Sequence, residues 1–419
     1  MSFPRRGSLG AIESGIDCHR PKDQTPIMRR LTGHIQHFAW GSLTEIPQIL
    51  RREPDGTPWA EYWLGTHPGG HAFLDDGRVL ADLVREQPDV VGAASRELFG
   101  GRLPFLLKIL SAGSPLSLQA HPSREQAVVG YARESLLGLH PDDPRRSYKD
   151  DWPKPEAVVA LTPFEGLLGF RDPVETAGLF EGLGVAAELA SVIGPLRDRR
   201  DAPALQEVFL DVLSLDDRRH LVDHVLAAAV ERLHAPGSLG EFARTAVELD
   251  EHFPGDPGIL AALLLNRFRL QPGEAVALKA GVMHAYLRGT CVEIMANSDN
   301  VMRGGLTAKH IDVDGLLQVV EFEPMAPEIL VASGADGIYV YPTAFPEFEL
   351  WLVAPVNASA HTLPRPDSGR IALAASGEFL LQADGGTEHL RSGDAVFIPA
   401  DEQVTVSGEG QLFVAASGA

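Results

Sequence analysis

The sequence predicts a mainly β chain in which a helical block interrupts the first of two related jelly-roll β-domains, and three observations predict it. Short apolar runs broken by Gly and Pro fill residues 28–171 and the chain after Pro272, while the stretch between them has helical periodicity. A segment at 273–284 returns at 393–404 with Gly, Ala, Val and a second Ala coincident, and with an acid second in each copy. The chain has 419 residues, more than one core usually holds, since domains of about 100–200 residues are the norm.

Each element follows from local chemistry. Residues 1–27 carry Arg5, Arg6, Gly7, Pro21 and Asp23 but no apolar run, so a secretory signal is unsupported. They are expected to be a disordered tail, with Met28 the natural beginning. Residues 28–171 open the first β-domain: the run Leu103-Pro-Phe-Leu-Leu-Lys-Ile-Leu110, followed by Ser-Ala-Gly-Ser-Pro, is a strand and its turn. The sheet should be mostly antiparallel, with one or two short helices at 81–99 lying over it. Asp172-Pro173-Val174-Glu175 offers an N-cap, a proline at the first helical position and an acid at the third. It opens a helical block at 172–268, in which Leu221, Val222, Val225, Leu226, Ala229 and Leu233 make one apolar stripe. Asp256-Pro257 repeats the start signal before a last helix at 259–268. Residues 269–325 complete the first β-domain and 326–419 form the second. Gly turns followed by strand, turn and strand, given twice, are the grammar of double-sheet jelly rolls, cupins among them.

Composition excludes several functions. Apolar residues are 44% and charged residues 22% of the chain, near the globular average. Acids outnumber bases 57 to 36, for a formal charge of −21, so a nucleic-acid backbone would be repelled. The two cysteines, Cys18 and Cys291, are too few for a disulfide framework or a zinc knuckle and read as reduced thiols in a cytosol. The longest apolar runs, such as 259–265, fall well short of the roughly 20 residues that span a bilayer. A cytoplasmic monomer or small homo-oligomer acting on a small molecule is expected, with no nucleic-acid or membrane partner.

Three short motifs carry candidate chemistry. In Ser117-Leu-Gln-Ala-His121 strand alternation sends Ser117, Gln119 and His121 to one face, either a polar surface stripe or a site. Glu156 enters an apolar strand, as a solvated acid or a ligand. His284 sits in an apolar run, as a hydrogen-bonded core histidine or a ligand. Together one amide oxygen, two imidazoles and one carboxylate make an N/O set suited to one Zn²⁺ per chain. Only Glu156 in that set is charged, so the metal would keep a net charge of about +1 with which to polarise a substrate oxygen. Farther on, Arg303 beside Gly304 and Gly305 suits close backbone approach to a ligand, and with Lys309 suits a phosphate or an enediolate oxygen; a structural turn is the alternative.

The motifs Ala60-Glu-Tyr-Trp-Leu-Gly-Thr-His-Pro68, Leu103 to Leu110, Ser117 to Pro122, Tyr148-Lys-Asp with Lys154-Pro-Glu156, His284-Ala-Tyr286 and Ser298 to Lys309 make the chain resemble the type I mannose-6-phosphate isomerases. The resemblance implies a zinc-bearing cupin domain with a helical insertion and a metal-free second β-domain. It implies zinc ligands Gln119, His121, Glu156 and His284, an active-site Arg303, and Lys108, Lys154 and Asp299 nearby. Ser117, Lys309 and Tyr286 fall where substrate would bind. The chain departs from the family pattern at Trp152-Pro153, where an Asn-His pair often precedes Lys-Pro-Glu, at Asn297 in place of a cysteine, and at Gly304 in place of an alanine. Pro153 rules out a proton-carrying histidine at its position.

The implied reaction interconverts D-mannose 6-phosphate and D-fructose 6-phosphate through a cis-enediol(ate), with Lys154, Asp299 and Glu293 the shortlist for the base. The rivals are a zinc cupin isomerase of another phosphorylated sugar and a non-catalytic sugar-phosphate sensor. The intact Arg303, Lys154, Glu156 and histidines weigh against the sensor.

Overall fold

The computed structural model describes residues 27–199, 201–214, 219–355 and 359–419. Of the tail expected at residues 1–27, residues 1–26, with Cys18, lie outside the described residues. Every pairing between the named strands is antiparallel.

Two large sheets carry the chain. From one edge the first runs Leu330–Val331, Glu274–Leu278, Glu156–Ala160, His284–Ala296, Phe105–Ala112, Glu61–Gly65 and His34–Gln36. The second runs Phe73–Leu74, Arg29–Thr32, Ala395–Ile398, Arg370–Ala383, Thr405–Ala416, Glu349–Val353, Ile338–Val340 and Ser333–Ala335. After an extra two-residue strand at the edge, the second order repeats the first strand for strand. The repeat at 273–284 and 393–404 coincides with matching strand–turn–strand units, and both copies turn at the same places. Gly273 and Gly393 have φ of 90° and 83°, and Gly281 and Asp401 have φ of 80° and 67°. Glycine suits three of these left-handed positions, and Asp is among the few side chains that tolerate the fourth.

Strand membership crosses the expected domain boundaries in both directions. Arg29–Thr32 and Phe73–Leu74, from the segment expected to build the first β-domain, join the second sheet, while Leu330–Val331 closes the edge of the first. The two sheets share one core. Phe105, Leu107, Ile109, Val292 and Ile294 from the first are buried with Ile371, Leu373, Phe397 and Phe413 from the second. At about 1.5–3 kcal/mol for each large apolar side chain, this interface welds the two β-domains.

The helical block opens as its sequence dictates: Asp172 caps Pro173–Leu183 by accepting from the amides of Val174 and Glu175. Helices Ala190–Asp198, Ala202–Leu213, Arg219–Arg232, Gly237–His252 and Gly258–Leu263 follow. They share a core with Leu118, Ala120, Met283, Ala285 and Met302 of the first β-domain.

Two expectations need correction. The last helix stops at Leu263, and Leu265–Leu270 is a strand paired with Phe164–Phe170; a short apolar run fits either period, and pairing decides. The strand-and-turn reading of 28–171 also missed the helix Arg124–Leu136, which a reciprocal Ser123–Gln126 capping box starts. That helix buries only Ala127, Gly130 and Glu134 and leaves Val129 and Leu136 exposed, so it has no apolar stripe to read. No described helix is long and apolar enough to cross a membrane.

Candidate active site

Strand alternation builds the site. While the odd-numbered residues of Phe105–Ala112 face the shared core, Lys108 turns to the other side, as do Glu61 and Trp63, Glu293 and Met295, and Glu156 on their strands. Opposite them, Leu118 and Ala120 join the helical core, which leaves Gln119 facing inward; Met283, Ala285 and Leu287 do the same around His284 and Tyr286. Gln119 stands directly across from both His284 and Arg303 in the strand register. A cavity of about 550 Å³ results, lined by Ser117, Gln119, Lys108, Lys154, Glu156, Tyr286, Glu293, Arg303 and Lys309 among others.

At its floor lies Glu156, grouped with His121 and His284, all three buried, with one ligand atom of each within 4.8 Å of the others. His121 Nδ1 contacts the Asn300 carbonyl at 2.7 Å and His284 Nδ1 the Val282 carbonyl at 2.9 Å. A carbonyl only accepts, so each Nδ1 carries the ring proton and each Nε2 of a neutral ring is a bare lone pair. Burial lowers the pKa of both rings, that of His284 to about 4, which keeps them neutral. Yet the two Nε2 atoms have no hydrogen-bond partner among the described residues and face the Glu156 carboxylate, at 3.3 Å from Oε1 for His121 and 3.6 Å from Oε2 for His284. Lone pairs aimed at carboxylate oxygens repel unless a cation sits between them. Ligands about 2.0–2.2 Å from a tetrahedral zinc stand about 3.3–3.6 Å apart, which these spacings match. Burial opposes the charge of Glu156, but the Lys154 ammonium beside it holds its carboxyl well below the usual range.

Around that floor the charges interlock. Lys154 Nζ is 2.9 Å from Glu156 Oε1. Lys108 Nζ is 3.0 Å from Glu293 and 3.5 Å from Glu61; burial opposes its charge, but the two glutamates raise its pKa and keep it an ammonium. The Tyr286 hydroxyl contacts Glu156 Oε2 at 3.3 Å and Glu293 Oε1 at 3.2 Å. Burial pushes the Glu293 carboxyl up; Lys108 opposes that, and Glu156 and Glu61 add to it. Arg303 lines the cavity with no ion pair or hydrogen bond among the described residues, and burial lowers its pKa. Burial and the neighbouring Arg303 also lower that of Lys309. Two unneutralised cations therefore face the same cavity.

Two readings shift. The glycines beside Arg303 serve packing: a Cβ on Gly305 would lie 2.7 Å from the Gly258 Cα, and one on Gly304 would lie 2.5 Å from the Met283 side chain. Gly305 admits the short helix Gly258–Leu263 and Gly304 admits the Met283 side chain, so neither gap is open to a ligand. Asp299 stands apart from the other candidates, lining a neighbouring cavity of about 840 Å³ with Lys149, Asp150 and Trp152. There the buried His67, whose Nδ1 accepts from the Gly69 amide, turns its Nε2 to Asp299 at 3.3 Å. Burial opposes its charge, but His67 and Lys154 hold the Asp299 carboxyl at about 2.

Sequence reasoning missed Glu61 and Trp63, although their alternation inside Ala60 to Pro68 was a usable signal. Trp63 donates to Glu61 at 2.8 Å and lies under Lys108, whose Nζ is 5.1 Å from the ring centroid. Nothing in the sequence marked His252 and Phe253, which the helical block brings to the cavity wall.

Comparison with known proteins gives a consistent result. Residues 28–173 match the phosphomannose isomerase type I catalytic domain. The mannose-6-phosphate isomerase of Salmonella typhimurium is 35% identical over 396 residues, 92% of this chain and 98% of that protein. The Homo sapiens mannose-6-phosphate isomerase is 33% identical over 409 residues, 89% of this chain and 93% of that protein. A crystal structure of the Salmonella typhimurium isomerase bound to its substrate and to zinc is similar with a TM-score of 0.85 at 31% identity, covering 94% of this chain and 100% of that one.

Proposed function

The chain belongs to the type I phosphomannose isomerase family and is an aldose–ketose isomerase of mannose 6-phosphate; we propose that it uses zinc held by Gln119, His121, Glu156 and His284 and works through a cis-enediol(ate). The observation that carries the reading is the pair of buried, partnerless Nε2 atoms facing one carboxylate. Zinc there supplies a Lewis-acidic positive charge beside the substrate's carbonyl and hydroxyl oxygens.

The chain's own residues do the rest. Lys309 and Ser117 suit the phosphate. Arg303, without a carboxylate partner among the described residues, is placed to meet the negative charge that develops on oxygen as the enediolate forms, where a preorganised cation contributes most. Of the shortlisted bases, Asp299 is too acidic at about 2 and lines the other cavity, and Lys154 is engaged by Glu156. Glu293 remains. Its carboxyl is raised toward the range a base needs, and it lines the cavity with Tyr286 oriented against it. In this reading Glu293 takes the proton from C2 of the aldose or C1 of the ketose and returns it to the neighbouring carbon, a hydroxyl proton passing between O2 and O1 so that the carbonyl moves, while Lys108 keeps Glu293 oriented.

The test is a coupled assay of fructose 6-phosphate formation from mannose 6-phosphate, with chelator and with zinc added back. Chelator-sensitive, zinc-restored turnover is expected. Turnover that survives complete metal removal would contradict the zinc reading.

A further inference from the structure

The segment 149–152 and the segment 298–300 come from distant parts of the chain and are tied together by a hydrogen-bond cluster centred on the fully buried Asn300. Its side-chain oxygen accepts from the amides of Lys149 at 2.7 Å and Asp150 at 3.2 Å. Its side-chain nitrogen donates to the Asp150 carbonyl at 2.8 Å, the Asp150 carboxylate at 3.1 Å and the Trp152 carbonyl at 2.8 Å. Asp150 answers by accepting from the Ser298 hydroxyl and from the amides of Trp152 and Asp299.

Both ends of this latch lead to the catalytic pocket. The main-chain carbonyl of Asn300 is the acceptor that fixes the His121 ring. From Trp152 the chain runs Pro153-Lys154-Pro155-Glu156. Each proline locks its own φ and restricts the residue before it, so little backbone freedom separates the Trp152 carbonyl from Lys154 and Glu156. A shift at Trp152 is passed on rather than absorbed. That gives Pro153 a role of its own: it stiffens the arm that delivers Lys154.

We propose that Asn300 is a positioning residue which registers the two walls of the pocket, so that one amide side chain sets both zinc affinity and the placement of Lys154. The inference rests on the zinc reading of His121, Glu156 and His284. Groups that orient a metal-binding histidine typically change metal affinity about 10–100-fold when altered.

The experiment measures zinc affinity by chelator competition, and kcat and KM at saturating zinc, in the full chain and in Asn300→Asp. That variant keeps the shape but turns an acceptor toward the carbonyls of Asp150 and Trp152. The expected result is zinc affinity lower by about 10–100-fold and a fall in kcat that outweighs any change in KM. Asp150→Asn, which keeps the packing and weakens the answering acceptor, should move both readouts the same way by less, and serves if Asn300→Asp does not fold. Leu205→Ala, in the core of the helical block, should lower Tm without moving zinc affinity. Parent-like zinc affinity and kcat in both latch variants would overturn the role of Asn300, as would an equal loss of affinity in Leu205→Ala. A parent chain that takes up no zinc would overturn the zinc reading itself.

Discussion

The two β-domains share a strand order and a register, yet their interiors differ at five positions that carry chemistry. Where the first has Glu156, opposite Leu278, the second has Arg370, opposite Ile398. Continuing across the sheets, Glu293 corresponds to Val414, Lys108 to Trp351 and Glu61 to Ile338, while the repeat sets His284 against Val404. The second interior is filled by Val353, Ala372, Val396, Val404, Val414 and their neighbours. Arg370, fully buried, donates to the carbonyls of Pro364 and Glu402; burial lowers its pKa to about 10, so it stays charged near neutral pH. A guanidinium fixed to the chain stands where the first domain has the Glu156 carboxylate. The jelly roll by itself therefore makes no site: five inward positions decide whether its interior is a pocket or a core.

The largest effect should come from breaking the first interior. Glu156→Ala or His284→Ala should lose zinc and turnover together; full zinc occupancy in either variant would remove that residue from the ligand set. Next, Arg303→Ala should lower kcat by about 10²–10³-fold, the usual cost of removing a group that meets charge developing in the transition state, with zinc content intact. Unchanged turnover would take Arg303 out of the mechanism. In the second interior, Arg370→Ala should cost about 2–4 kcal/mol of stability through a cavity and freed carbonyls, read as a lower denaturation midpoint, while zinc content and kcat stay at the parental level. Loss of zinc there would mean that the two interiors are not independent.

The smallest effect is one of pH on the metal-free chain. The His284 pKa falls from an ordinary 6.5 to about 4 on folding. Between those values the unfolded chain binds a proton that the folded chain does not, so the stability is present above about 6.5 and is lost as pH falls toward about 4. Tm should decline over that window, and less steeply in His284→Gln; equal slopes would contradict the burial of a neutral ring.

Much of this was legible in the sequence because it depends on local rules. The N-cap at Asp172, the repeated turns at Gly273 and Gly393, and the alternation that puts Gln119 in the pocket while Leu118 and Ala120 face the helices each follow from a few adjacent residues. Other features depend on partners far along the chain. Arg29–Thr32 joins the second sheet by pairing with Ala395–Ile398, and nothing near Arg29 encodes that choice. Leu265–Leu270 became a strand because Phe164–Phe170 was there to pair with it. Asp299 went to the neighbouring cavity because His67 holds it there, although in sequence it sits four residues from Arg303.

The first interior is built to hold zinc, and its duplicate carries Arg370 at the position of Glu156. Diffraction from crystals of the zinc-loaded chain on either side of the zinc absorption edge tests it directly. One anomalous peak per chain is expected, between the Nε2 atoms of His121 and His284 and the carboxylate of Glu156. A peak in the second β-domain beside Arg370, or none among those three residues in an active, zinc-loaded chain, would contradict it.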